Sequence, residues 1–239
     1  MIRLVCYADE KMTLAQEKCI SSSLKYGVDE VSQWTRDRLV STQFYYHNKN
    51  ILDADRGAGY WLWKPFIVYE ELLRASEGDT VIYSDAGIEF IAPVSEIISR
   101  MDEDIFFFTN GHPQKEWCKG DVMKWVNGWS VYDNFNQTQV QASVIFFKIN
   151  QKTRDFVKEW LLWCQMPGFI DDSPSKHENC KTFAEHRHDQ AILTCLQIKY
   201  GYKLHFWPTS YSEHIRHTAQ AEDNYPSLFN HHRKRNHEW

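Results

Sequence analysis

The chain has 239 residues, of which 43% are apolar and 15% aromatic, including 10 Trp; it is long enough for one large core and too apolar for disorder. Its formal charge of −5 argues against a nucleic-acid partner, and no apolar run nears the ~20 residues of a membrane span. Cys6, Cys19, Cys118, Cys164, Cys180 and Cys195 lie far apart without a CxxC pair, and the first residues resemble a short strand rather than a signal peptide. Free, largely buried thiols in a reducing, cytoplasmic setting are therefore expected.

In chain order, Ile2–Tyr7 reads as a first strand and Leu14–Tyr26 as an amphipathic helix stopped by Gly27 at C′. Asp29–Trp34 reads as a second strand, while Arg36–Asn50 is polar and Tyr-rich without a clear period. Pro65 suits the first turn of a helix, and Phe66, Ile67, Tyr69, Leu72 and Leu73 continue it at helical spacing. The turn Ser76–Asp79 leads into Thr80–Tyr83, a β-branched and aromatic run suited to a central strand. Further strands are expected over Ile88–Ile91, Asp104–Thr109, Gln139–Ile149 and Lys203–Pro208, with helices over Pro93–Arg100, Thr153–Cys164 and His188–Tyr200. Gly111–Trp129 reads as a long aromatic loop region. Alternating strands and helices without repeats or a linker predict one α/β domain, residues 1–239, with a mixed, mostly parallel, Rossmann-like sheet.

The chemistry centres on Gly57–Phe90. Asp85-Ala86-Gly87 follows a predicted buried strand, and ligands of open α/β sheets bind beyond the carboxyl ends of the strands. A carboxylate there, followed by small residues, suits a divalent metal that holds phosphates; it equally suits a turn cap.

The ordered motifs resemble those of GT-A-fold nucleotide-diphospho-sugar glycosyltransferases, distantly glycogenin-like and closer to capsule-type and viral proteins with GYWxWKP and HRxDQ. The resemblance implies a GT-A-like fold, with a nucleotide-binding part over about 1–110 and an acceptor-side part over about 111–239. YADEKM resembles the base-holding end of the first strand, which implies Tyr7, Ala8 and Asp9 at the donor. RGAGYWLWKP resembles the helix facing the diphosphate, which implies Arg56 and Lys64. VIYSDAG resembles the DxD strand, which implies Tyr83, Ser84, Asp85, Ala86 and Gly87, although Gly87 replaces the second Asp. VQASVIFF resembles the strand under the sugar, with Gln141 and Ser143 on the acceptor side together with Trp125, His186 and His188. HDQAIL implies Asp189 and Gln190 as catalytic, and FNHHRK implies His231 or His232 completing a Mn²⁺ or Mg²⁺ site with Asp85. The implied reaction moves a sugar from a nucleotide-diphosphate donor, a uridine one by the resemblance, to a glycan or protein acceptor. Its implied setting is the cytoplasm or the cytosolic face of a membrane-associated glycan pathway.

Residue types agree with that chemistry. A departing diphosphate needs metal or cationic charge placed beforehand, and an oxocarbenium-like sugar carbon needs a carboxylate or amide nearby. Tyr60, Trp61, Trp63, Trp125 and Trp129 either stack on ligand rings or pack the core. Asp189 alternatively caps a helix, and the basic tail alternatively is a solvated end. Two other functions stay open: a catalytically weak nucleotide-sugar or glycan-binding protein, and a zinc-dependent hydrolase built on His177, Cys180, His186 and His188.

Overall fold

The computed structural model describes residues 1–127, 137–209 and 225–239. From the N-terminus these form β1 (Ile2–Ala8), α1 (Thr13–Lys25), β2 (Glu30–Thr35), α2 (Arg36–Val40), α3 (Gln43–His47), α4 (Lys49–Leu52), α5 (Gly57–Tyr60) and α6 (Trp63–Arg74). There follow β3 (Thr80–Ser84), β4 (Ile88–Phe90), α7 (Ser95–Ile98), β5 (Ile105–Pro113), α8 (Gly120–Asn127), β6 (Thr138–Val140) and β7 (Val144–Lys148). The chain continues through α9 (Gln151–Cys164), α10 (His188–Tyr200), β8 (Leu204–His205) and β9 (Phe229–His231).

Seven strands make one sheet in the order β2-β1-β3-β7-β5-β6, with β8 also paired to β5. β2, β1, β3, β5 and β8 run one way and β7 and β6 the other, so the expected mixed, mostly parallel α/β sheet is present. Its central strands β1, β3 and β7 and the first half of β5 read as apolar runs because both faces are covered. Val5, Val81, Tyr83, Phe107 and Phe147 point to the layer formed with α6, α9 and α10. Leu4, Ile82, Phe106, Phe108 and Phe146 point to the opposite layer, with Ala15 and Cys19 of α1 and Phe229 of β9.

The structure refines the local reading at six stretches. Arg36–Asn50 holds short helices, of which α2 and α3 start where the hydroxyls of Thr35 and Thr42 accept from the N–H groups of Arg38 and Tyr45. Gln139–Ile149 is two strands, because the chain breaks at Gln141–Ser143 between its two pairings with β5. β4 leaves the main sheet and pairs antiparallel with β9. The Gly111–Trp129 region contains α8, and the Pro93–Arg100 and Lys203–Pro208 stretches shrink to α7 and β8. Trp129 lies outside the described residues. All six cysteines are free, and among the described residues no helix is long and apolar enough to cross a membrane.

Candidate active site

Two helices begin at the same place beside the end of β3, and each carries a charged residue in its first turn. Lys64 of α6 and Asp189 of α10 are both buried to 3% exposure. The Lys64 ammonium donates to the Ala142 carbonyl at 3.1 Å and lies 3.2 Å from Asp189 Oδ2 and 3.3 Å from Asp85 Oδ1. Buried charges persist only when paired in this way. Burial pulls the lysine pKa down, but Asp189 and then Asp85 more than offset it, leaving it above its ordinary value. Burial lifts the Asp189 pKa to about 6, against the pull of Lys64. Asp189 Oδ2 has no aligned hydrogen bond, so Lys64 compensates it by charge rather than by geometry.

Asp85 is the exposed corner of this trio, with its side chain 32% accessible. Its backbone N–H donates to Ser143 at 2.8 Å, extending the β3–β7 ladder, and the Tyr83 hydroxyl donates to Oδ1. Burial and the neighbouring Asp85 push the Tyr83 phenol far above its ordinary pKa, so it stays a donor. Oδ2 of Asp85 has no hydrogen bond or ion pair among the described residues. Two carboxylates against one ammonium leave the trio at formal −1, which favours an added cation.

Close packing accounts for glycine at position 87, where the resemblance implies a second Asp. A Cβ there would stand 3.0 Å from Cα of Arg233, and the Gly87 carbonyl accepts from the N–H groups of His232 and Arg233. The position is taken by close backbone approach of the C-terminal segment. That segment sets His231 opposite Ile88, near enough for Asp85 to act on its pKa, which burial lowers to about 4. His231 Nε2, however, accepts from Arg233, and His232 Nδ1 accepts from the Lys234 N–H while its Nε2 is buried without a partner. Among the described residues no three His, Cys, Asp or Glu side chains converge as a metal cluster, so the expected set of Asp85, His231 and His232 is not gathered. Asp85, with its free oxygen, does fit an ion whose other ligands are phosphate oxygens and water.

The sequence GAGYW before Lys64 adopts a left-handed turn: φ is +60° at Gly57, +51° at Ala58, +103° at Gly59, +51° at Tyr60 and +59° at Trp61. Such a run is costly for non-glycine residues and persists only where the surroundings impose it. The Tyr60 and Trp61 rings each lie 5.2 Å from the His188 ring, and His188, at φ +48°, immediately precedes Asp189. Strained backbone thus precedes both charged residues, and ring contacts brace the two helix starts against each other.

The other expected residues divide. Ser84 and Ala86 are buried beside Asp85, with the Ser84 hydroxyl donating to the Asp85 carbonyl. Tyr7 stacks on Trp63 at 4.1 Å with its hydroxyl buried and unpaired, Ala8 is buried, and Asp9 caps a turn by accepting from Lys11. Arg56 is drawn away from the trio by Asp172 and Glu185, at 3.1 and 2.8 Å. Gln190 is committed to structure: its amide donates to Gln139 and accepts from the Ala142 N–H at 3.4 Å. Gln139 in turn donates to Gln114, so a relay of amides fixes the break that presents the Ala142 carbonyl to Lys64. Gln114 and Gln139 were invisible as site residues in the sequence, since polar residues in a strand or turn carry no period of their own. The Gln141 and Ser143 side chains flank that break, the Ser143 hydroxyl buried and unpaired.

His186 donates to the Phe169 carbonyl and accepts from the Lys119 N–H, and burial lowers its pKa to about 3. His188 donates to the Ile170 carbonyl. His177 pairs with Asp121, and Cys180 meets Thr182. These four side chains are therefore not a zinc set. Trp125 stands apart on α8, 61% exposed.

No protein-family model matches the sequence, and no curated protein matches it. Among solved structures, mouse xyloside xylosyltransferase 1 aligns over 97% of each chain at 10% identity and a TM-score of 0.52. The bifunctional glycosyltransferase WbbM aligns over 82% of this chain but 37% of its own, at 12% identity and TM-score 0.48. A glycosyltransferase involved in glycosylation of the major capsid of PBCV-1 aligns over 96% and 91%, at 12% identity and TM-score 0.45. The first of these, together with the strand order, carries the conclusion: the chain has a GT-A-like glycosyltransferase fold.

Proposed function

We propose that this chain transfers a sugar from a nucleotide-diphosphate sugar, a uridine one in the first instance, to a glycan or protein acceptor. The observation that carries the reading is the buried Lys64, which ties Asp85 at the carboxyl end of β3 to Asp189 at the start of α10. In this reading residues 1–110 hold the donor and residues 111–239 face the acceptor. Asp85 would hold Mn²⁺ or Mg²⁺ through its free oxygen, and of the two histidines it is His231 whose pKa feels the Asp85 charge. When bound, the ion supplies positive charge at the leaving diphosphate. Lys64 adds a preplaced ammonium on the same side, whose worth is greatest as negative charge develops there. Asp189, kept ionised at neutral pH by Lys64, offers its charge to the electron-poor sugar carbon. The strained turn and His188 hold these two groups in register, which matters because small displacements weaken such catalysis.

A panel of nucleotide sugars with Mn²⁺ or Mg²⁺, scored for free nucleoside diphosphate and for melting temperature, tests the reading. Release of nucleoside diphosphate supports transfer chemistry. Binding without turnover supports a nucleotide-sugar-binding protein, the alternative that the ungathered histidines favour. Neither binding nor turnover across the panel would falsify both.

A further inference from the structure

We propose that the cleft between α8 and the chain from Pro167 to His177 binds a saccharide bearing a negative charge, as the acceptor-side subsite of the transfer reaction; the acceptor role rests on the reading above. The cleft holds about 520 Å³, and its walls include Asp121, Lys124, Trp125, Phe169 and Lys176. That volume lies in the range of small-molecule sites.

Three observations combine. Trp125 presents a largely exposed indole to the cleft, held from one side by the edge of Phe169 at 6.4 Å and 81°. A flat apolar face with a wet rim matches the C–H face of a pyranose. The charge at the cleft is unbalanced: Asp121 is consumed by the N–H groups of Lys176 and His177 and by the His177 ring, at 2.7–2.9 Å. The ammonium groups of Lys124 and Lys176 have no acidic partner among the described residues, against a chain whose net charge is −5. Finally, the floor is rigid and continuous with the candidate active site. Lys119, buried, holds Gly168, Asp171 and Ser173, while the carbonyls of Phe169 and Ile170 accept from His186 and His188, and His188 adjoins Asp189. A neutral glycan would leave both ammonium groups unused, and a small anion would leave Trp125 unused. A uronate-bearing glycan uses both.

Calorimetric and tryptophan-fluorescence titrations of the full chain with trigalacturonate, maltotriose and inorganic phosphate test this. Trigalacturonate is expected to bind about fivefold more tightly than maltotriose, the upper end of one exposed ion pair or the middle of the range for two. Trp125→Ala is expected to weaken it by roughly fivefold or more, on the scale of an aromatic contact. Trp125→Phe keeps a ring, retains most of the binding, and replaces the Ala variant should that one fail to fold. Lys124→Gln with Lys176→Gln removes the preference for the charged trisaccharide. Equal affinity for maltotriose, binding unchanged in Trp125→Ala, or competition by phosphate as strong as by the trisaccharide each overturns the assignment. The melting shift with uridine diphosphate is measured in parallel. An intact shift without saccharide binding overturns the cleft alone, and saccharide binding without a nucleotide shift overturns the transfer reading alone.

Discussion

Lys64 and Asp189 face each other at 3.2 Å where neither is more than 3% exposed. Asp189 depends on Lys64 as its cation, whereas Lys64 has a second carboxylate beside it. Asp189 is left with Oδ2 unaligned to any donor, and the lysine is also shared with Asp85. The pair therefore supports the local structure while keeping two opposite charges ready beside an exposed carboxylate.

Lys64→Met should reveal this dependence. The substitution keeps much of the volume but leaves Asp189 buried without a cation. A loss of about 3–5 kcal/mol in urea unfolding is expected, as when one partner of a buried pair is removed. Adding Asp189→Asn should recover part of it, since the uncompensated charge is gone. Additive losses in the double variant would mean that the two side chains are not coupled.

The pH dependence has a defined sign. The folded-state pKa of Asp189 is raised from 3.8 to about 6, so the native state binds this proton more tightly than the unfolded chain. Its contribution to stability is full below about pH 3.8 and is lost as pH rises through about 6. The stability of wild type relative to Asp189→Asn should therefore fall between pH 4 and pH 7, as measured by urea unfolding across that range. A flat or rising difference would contradict the buried, destabilised carboxylate.

Gly87 should resist repair toward DxD. Gly87→Ala places a Cβ 3.0 Å from Arg233 Cα, so the C-terminal segment must move. A loss of about 1–3 kcal/mol is expected, the scale of overpacking. Gly87→Asp should likewise weaken, not strengthen, the Mn²⁺-dependent melting shift with uridine diphosphate. A larger shift in the Asp variant would show that this position is a ligand site after all.

Much of this was legible in the chain. The apolar runs of β1, β3, β5 and β7 and the helical spacing of α6, α9 and α10 are local signals, and each lies within a few residues of its expected place. Asp85, Lys64 and Asp189 were named as donor, metal or catalytic residues, and the fold brings the three together. What the sequence hid was set by long-range geometry. The left-handed backbone of Gly57–Trp61 and the commitment of Gln190 to Gln139 depend on partners distant in the chain. So does the loss of Arg56 to Asp172 and Glu185, 116 and 129 residues away. The two histidines of HHRK alternate along a strand end, so adjacency in sequence did not become a shared site.

The strained turn offers its own check. Gly59→Ala adds a Cβ 2.6 Å from Leu52 Cα at φ +103°, and should cost more than about 2 kcal/mol in urea unfolding. Ala58→Gly relieves a left-handed alanine and should raise stability by up to about 1 kcal/mol. The opposite signs at adjacent residues distinguish imposed strain from a general intolerance of this turn, and equal losses at both would refute it.

Asp189→Asn asks whether the carboxylate serves more than folding. As a first-turn helix residue, Asp189 meets the favourable end of the helix dipole, a role worth about 0.3–1 kcal/mol against its burial and nothing in turnover once the chain is folded. As a charge beside the reacting sugar, it matters mainly in the transition state. The Asn variant preserves shape and relieves the burial of a charge, so it should melt within a few degrees of wild type. It should also still give a Mn²⁺-dependent melting shift with uridine diphosphate, about 2.7 kcal/mol of stabilisation at ~100 times the dissociation constant. Asp85→Asn should abolish that shift, because the free oxygen of Asp85 is the ion's anchor. Turnover in Asp189→Asn should fall at least about 100-fold, the scale of one removed electrostatic or acid–base group. In wild type, turnover should decline below about pH 6 as Asp189 takes up its proton, and that decline should be missing from the residual activity of the Asn variant. Near-normal turnover in a folded Asn variant would reduce Asp189 to a helix-start carboxylate that balances Lys64, and the charge facing the sugar would have to come from Asp85.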